Sequence, residues 1–278
     1  MKVWFRSSLF LGIFAFGLST QALAWGGLGH RTVAAIAMAL LPDKAAAMDE
    51  LLRALETDNN DIDAASYPDE FIRNHDPKRT FSPWHFADLP DDGSAFTCGG
   101  NCLFDALELN RKKIGAGPST KDKAVALSWV LHLVGDLHQP LHMSGRQRGG
   151  NTFAVTYRGG ATCKNGLSGS SKVELHSAWD DCLVAELAKG KDAKALASAL
   201  LGGTKDYHKR PEAAGSVEDW SKESHALSVS AAFDGLAPGA DLGDSYIVGK
   251  GMALDVVSEQ LLRAGIRLAM YLDKNFVP

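Results

Sequence analysis

Residues 132–142 read His132-Leu-Val-Gly-Asp136-Leu-His138-Gln-Pro-Leu-His142, and a second His-x-x-x-Asp pair follows at His176-Ser-Ala-Trp-Asp180. Nothing else in the chain limits its fold as tightly. Helix positions i and i+4 share a face, so His132 and Asp136 project together and can meet one cation. His176 and Asp180 repeat that spacing on another helix. His142 lies past Pro140, which should disturb the helix, so the backbone can turn it toward a neighbouring ion. His138, two residues from Asp136, falls on a different face and reads as structural. One such pair alone is more often a surface ion pair than a ligand set. Two pairs, with a third histidine beside one of them, favour a multinuclear centre, and these nitrogen and oxygen donors suit zinc best among common divalent ions.

Three more features can complete the centre. Asp69 sits in Ser66-Tyr67-Pro68-Asp69-Glu70, where the bland reading is a solvated turn residue. His85, between Trp84 and Phe86, would more often be a satisfied core histidine if it stood alone. His30 lies five residues after Trp25, with Gly26-Gly27 letting the chain curl back. A free α-amine and its own carbonyl oxygen form a five-membered chelate, so a terminal Trp25 can ligate through its backbone.

Trp25 becomes a terminus if a leader is removed. Lys2 and Arg6 precede an apolar run from Leu9 to Leu18, and Ala22-Leu23-Ala24 follows as an A-x-A cleavage site. The run is shorter than the ~20 residues that span a bilayer. Residues 1–24 are therefore expected to be a cleaved signal peptide and residues 25–278 the exported domain, periplasmic or extracellular. Loss of Lys2 and Arg6 takes the net charge from −4 to −6. Such a balance excludes gripping nucleic acid by broad phosphate neutralisation, though not holding phosphate on metal ions. In an oxidising compartment the four cysteines, Cys98, Cys102, Cys163 and Cys182, favour two disulfides over thiol chemistry. Zinc thiolate competes, but neither spacing nor setting suggests it. Cys98-Gly-Gly-Asn-Cys102 is a turn able to close a small ring; Cys163–Cys182 then follows by elimination, and other pairings remain open.

The rest of the chain reads as mostly helix. Helical stretches are expected at 32–41, 44–56, 121–139 (capped by Ser119-Thr120), 174–188, 191–201, 217–233 and 252–273. Residues 57–103 look irregular, Asn151 to Tyr157 alternates like a strand, and the Gly-rich segment 234–251 reads as a long loop. No repeat, low-complexity tract or convincing linker divides the chain.

These pieces together resemble the S1/P1 type nuclease family, the secreted zinc nucleases that degrade single-stranded nucleic acid. The matching segments are Trp25 to His30, Asp69, Trp84-His85-Phe86-Ala87-Asp88, His132 to His142, Gly149-Gly150-Asn151, His176 to Asp180, and the tail from Gln260 to Ala269. The resemblance implies the mainly α fold shared with zinc phospholipase C, as a single domain with a small β-ribbon. It also implies three Zn²⁺. Asp69, His85, His132 and Asp136 would hold one; Trp25 and His30 another, with Asp136 bridging; His142, His176 and Asp180 the third. Three carboxylates and three Zn²⁺ leave a local +3 inside an acidic protein, enough to draw a phosphodiester to one place.

By the same resemblance, Phe86 and Asp88 match a nucleobase pocket, supported by Gly149 and Asn151. An aromatic face stacks on any base, and a carboxylate accepts from exocyclic amines. The bland alternative makes Phe86 core. The family commonly has a basic residue three positions after its equivalent of Asp69; here Ile72 stands there, and Arg73 is carried over as the candidate. The implied partners are single-stranded DNA, RNA and nucleotides, cleaved to 5′-phosphates, with 3′-mononucleotides dephosphorylated; no membrane or protein partner is implied. Two alternatives stand beside this: a phospholipase C-like phosphodiesterase, and a non-catalytic secreted zinc-binding protein, which would close each site with four protein ligands.

Overall fold

The computed structural model describes residues 25–55, 62–92, 94, 96–160, 172–203, 206 and 210–277. The expected signal peptide lies outside the described residues.

The chain folds as a mainly helical protein. Helix α1 (Gly27–Leu40) is followed by α2 (Pro42–Leu52), α3 (Tyr67–His75), α4 (Leu103–Ala116) and α5 (Thr120–Leu137). Ser119 caps α5, its hydroxyl accepting from the Asp122 amide at 3.1 Å. Apolar positions surround that helix from Leu127 onward, so it is buried on all sides and forms the central rod, packed against α4, α2, α1 and α11 (Ala253–Asn275). A helix hydrophobic all round must lie inside. Gly265 lets α11 cross close to α1: a Cβ there would lie 2.4 Å from Ile36 Cβ, so even alanine would force the helices apart.

Between them run α6 (Leu175–Ser177), a π-helical turn (Ala178–Cys182), α7 (Leu183–Ala188), α8 (Ala193–Leu201) and α9 (Val217–Leu227). A small sheet, β1 (Ala154–Tyr157), β2 (Lys172–Glu174) and β3 (Asp241–Leu242), has the order β2-β1-β3. β1 pairs antiparallel with β2, Val155 opposite Val173, and parallel with β3, Thr156 opposite Asp241. Strand β2 leads directly into the turn that carries His176. Among the described residues, no helix is long and apolar enough to cross a membrane.

The expected helices are present within a few residues of their bounds. Three readings need correction. The irregular stretch 57–103 holds α3, whose Pro68 is tolerated in the first turn because the amide it lacks would be unpaired there. The segment 103–116, unassigned in the sequence, is α4. The presumed loop 234–251 contains β3 and α10 (Asp244–Ile247). Cys98 and Cys102 are joined as a disulfide, which removes both from thiolate ligation. The second expected pair involves Cys163, which lies outside the described residues.

Candidate metal centre and cleft

The central rod delivers two donors. His132 and Asp136 occur one turn apart on the last part of α5, both without solvent exposure. Asp136 Oδ2 lies 3.3 Å from His132 Nε2 and 3.1 Å from His85 Nδ1, while its Oδ1 lies 3.3 Å from His30 Nε2. His85 ends a 3₁₀ turn (Ser82–His85), and Asp69 lies in the first turn of α3. Asp69 Oδ1 is 3.5 Å from His132 Nε2 and 3.7 Å from His85 Nδ1. His30 comes from α1, its ring stacked on His132 with centroids 3.7 Å apart. Gly135 makes that approach possible, since a Cβ there would sit 2.8 Å from His30 Nδ1.

A further group assembles beside it. His142 stands in the 3₁₀ turn Pro140–Met143, and its ring centroid is 4.8 Å from that of His176. His176 Nε2 is 3.2 Å from Asp180 Oδ2. The i,i+4 spacing here runs from α6 into a π turn rather than along regular α-helix, a local widening that recurs at functional sites. Three sets of donor atoms therefore converge: His30-His132-Asp136, Asp69-His85-His132 and His142-His176-Asp180, each within 4.8 Å. The structure thus brings together eight of the nine expected ligands in a different grouping: His132 joins two sets, Asp136 only one, and Trp25 none.

The tautomers follow from the carbonyl partners, which can only accept. His132 Nδ1 donates to Ala65 O at 2.7 Å, His142 Nδ1 to His85 O at 2.6 Å, and His176 Nδ1 to Gly149 O at 2.5 Å. Each neutral ring then turns a bare Nε2 lone pair toward the centre. His132 Nε2 faces carboxylate oxygens of Asp69 and Asp136 at 3.5 and 3.3 Å, acceptor toward acceptor, with His85 Nδ1 at 2.9 Å beside them. Among the described residues, ten buried side-chain atoms lack a hydrogen-bond partner, and seven belong to His30, Asp69, His85, Asp136, His142 and Asp180. An unpartnered buried polar atom is costly, and so many on one spot fit divalent cations.

Burial sets the charge state of the metal-free site. It pushes His30, His132 and His142 far below the ordinary imidazole range, His85 down to about 3 and His176 to about 4. It raises the carboxyls of Asp69, Asp136 and Asp180, with Asp136 adding to the shift of Asp69 and Asp181 to that of Asp180. The site keeps imidazoles neutral, as ligands must be, and resists carboxylate charge until a cation compensates it.

Trp25 is fully buried, and its indole N–H donates to Gly135 O at 2.9 Å. The next residue is also tied, Gly26 N–H donating to Asp180 O at 2.9 Å. Trp25 is thereby fixed between two donor segments, not frayed. Arg73, in the last turn of α3, is exposed, and its charge pulls the Asp69 carboxyl down against the effect of burial. His138 turns away from the donors: its Nδ1 donates to Val134 O at 2.7 Å, and its Nε2 accepts from Arg267 at 3.0 Å. Burial first, then Arg267, lowers its pKa to about 3. We expect His138→Ala to destabilise by about 2–4 kcal/mol, because Arg267 loses a buried acceptor. Metal content should stay at the wild-type value; elemental analysis showing a lost ion would contradict this placement.

The donors open onto a cavity of about 390 Å³. His85, His142 and His176 line it together with Phe86, Asp88, Gly149 and Asn151, so the whole expected base pocket adjoins the donors. Phe86 is 38% exposed and is not core. The cleft walls desolvate Asp88 and raise its carboxyl, while Arg148 draws it down. Sequence reasoning missed Arg79 and Arg148, which line the same cavity, and Trp129, which packs against His85 with centroids 5.4 Å apart. Arg148 immediately precedes the Gly-Gly-Asn turn, the one signal that pointed toward it.

The comparisons with known proteins agree. The family model described as S1/P1 Nuclease matches residues 25–277. Endonuclease 4 of Arabidopsis thaliana is 27% identical, covering 99% of this chain and 96% of its own length. Nuclease S1 of Aspergillus oryzae is 26% identical over 92% of this chain and 93% of its own length. Nuclease P1 of Penicillium citrinum is 25% identical over 90% and 97%.

Proposed function

The chain belongs to the S1/P1 nuclease family, a metal-dependent family of nucleases acting on nucleic acids, and on that premise we propose an exported zinc endonuclease specific for single-stranded DNA and RNA. The observation that carries this reading is the converging, unpartnered donor set at the side of a cleft that exposes Phe86. Three Zn²⁺ would be held by Asp69, His85, His132 and Asp136; by His30, Asp136 and the backbone of Trp25; and by His142, His176 and Asp180. When bound, the metals supply Lewis acidity: they acidify water and neutralise charge on a phosphoryl group.

The chain's own residues choose the substrate. Phe86 stacks on a base, Asp88 accepts from its amino groups, and Asn151 supports the turn beside them. A base paired in duplex cannot enter such a pocket without leaving the stack, so single strands are preferred. The products are 5′-phosphates, and 3′-mononucleotides lose their phosphate at the same centre. Arg73, near Asp69, helps neutralise the phosphate. Residues 1–24 are a leader removed on export, and residues 25–278 form the nuclease domain.

Metal analysis of the mature protein, with a zymogram on single-stranded DNA, RNA and phosphatidylcholine, tests the reading. Three zinc per chain with cleavage of both nucleic acids supports it. Phosphatidylcholine as the preferred substrate, or metal without hydrolysis, overturns it. Phe86→Ala should raise KM for single strands by roughly tenfold or more while kcat changes less, because base stacking contributes about 1–3 kcal/mol to binding. An unchanged KM would remove Phe86 from the pocket.

A further inference from the structure

Two arginines on separate loops line the same cleft as the histidines. Arg79 lies just before the turn that carries His85, and Arg148 just after the turn that carries His142. Both have left-handed backbones, φ 51° and 54°, as does Gln147 at 50°. Non-glycine residues adopt that conformation when their surroundings enforce it, and such residues cluster at ligand clamps. Here the surroundings are visible. The Arg148 carbonyl accepts from both the amide (3.2 Å) and the side chain (2.9 Å) of Asn151, while Thr152 holds the Gln147 carbonyl at 3.0 Å. The Arg79 amide donates to Asp76 O at 2.9 Å, and the Asp76 carboxylate in turn accepts from the Phe81 amide at 2.9 Å.

The pairing of Arg148 is equally informative. Arg53, Arg111, Arg158, Arg210, Arg263 and Arg267 each contact a carboxylate within 3.2 Å. Among the described residues, the Arg148 guanidinium has no such partner and donates no hydrogen bond, although it lies close enough to Asp88 to lower its pKa. In a chain with more acids than bases, a positive fork left open at a cleft suits an anion, and its planar donors match phosphate oxygens in pairs. A base on Phe86 and a phosphate at the buried donors account for a single nucleotide. A longer strand bound this way would bring a further phosphate into the same cleft.

We propose that Arg79 and Arg148 grip the phosphodiester flanking the scissile one, which extends the cleft beyond a single nucleotide and favours longer strands. This rests on the single-strand reading above. The two arginines are substrate-positioning residues and leave the metals untouched.

The test is the salt dependence of binding. The mature, metal-loaded protein is titrated against a fluorescent single-stranded phosphorothioate of about 12 nucleotides, followed by anisotropy from low to high NaCl. Each neutralised phosphate contributes about 0.7 to the slope of log Kd against log salt for single strands, so removing the one phosphate contact with Arg79→Gln and Arg148→Gln together should flatten it by about 0.7. At low salt the double variant should bind at least about tenfold more weakly. A phosphorothioate dinucleotide, which has no flanking phosphate to lose, should weaken less than twofold. Replacing both residues with lysine should keep the slope, because the charge remains. An unchanged slope in the glutamine variant overturns the arginine site alone, as does equal weakening of dinucleotide and longer strand. Failure of the wild-type protein to bind single strands overturns this proposal together with the reading beneath it.

Discussion

Asp136→Ala should remove at least two metal equivalents and lower activity by about 10³-fold or more, the largest effect of any single ligand change. The reason lies in how that carboxylate is shared. Oδ1 faces His30, and Oδ2 faces His85 and His132, all within 3.3 Å. Removing it takes a donor and a negative charge from two groups at once, and three buried imidazoles lose the anion they surround. Metal stabilisation of a transition state is worth several kcal/mol, and each 1.36 kcal/mol is tenfold in rate. Chelation should also lower the unfolding temperature, because in the proposed scheme the metals would join α1, α3, α5, the His85 turn, the His142 turn and the His176 segment. Elemental analysis and thermal unfolding of the wild-type and variant proteins decide this. A full metal complement in Asp136→Ala would remove the bridging role, and equal activity in excess chelator would exclude metal catalysis.

The pH dependence has a definite sign. In the metal-free protein burial raises the carboxyls of Asp69, Asp136 and Asp180, so they bind protons more readily than in the unfolded chain. Metal binding must displace those protons, and affinity therefore falls as pH falls. The imidazoles do not add to the competition in mild acid, since burial holds His85 at about 3 and His176 at about 4. Metal retention measured against pH should accordingly follow carboxylate rather than imidazole protonation.

Much of this centre is legible in the sequence because its chemistry is local. His132 and Asp136, like His176 and Asp180, announce themselves through one-turn spacing, and Phe86-x-Asp88 by adjacency to His85. What the sequence hides is tertiary. Helix α3 escapes notice because it is short, polar and interrupted by proline at its start. Asp69 reads there as a solvated turn residue, whereas it is 5% exposed. Strand β3 has two residues and no alternation to detect. Gly135 looks like a flaw inside a helix until the His30 ring is placed against it. Arg79 and Arg148 are invisible as a pair because 69 residues separate loops that only the packing of the His85 and His142 turns brings to one cleft.

One extra residue before Trp25 should leave the mature protein folded but short of one zinc and with little activity. The Trp25 side chain is anchored to Gly135, next to Asp136, and residue 26 to Asp180, so the backbone nitrogen of Trp25 is held among donor segments by contacts that do not depend on its being a terminus. The nitrogen's chemistry does depend on it. A free α-amine has a lone pair that zinc can use, and with its own carbonyl oxygen it closes a five-membered chelate. An amide nitrogen has lost that lone pair to resonance. With Met or Gly attached, the ion near His30 would rest on His30 and Asp136 alone, and the latter is shared with the first site. Two side chains, one already engaged, give too few ligands for a closed zinc site. The precursor would share this defect, so removal of residues 1–24 would complete the centre and confine activity to the exported form. The measurements are zinc per chain, thermal unfolding and cleavage of single-stranded DNA, made on the extended and the correctly terminated proteins. A preserved fold with about one zinc fewer supports the terminal ligand. Three zinc ions and full activity in the extended protein would show that Trp25 contributes only its buried ring.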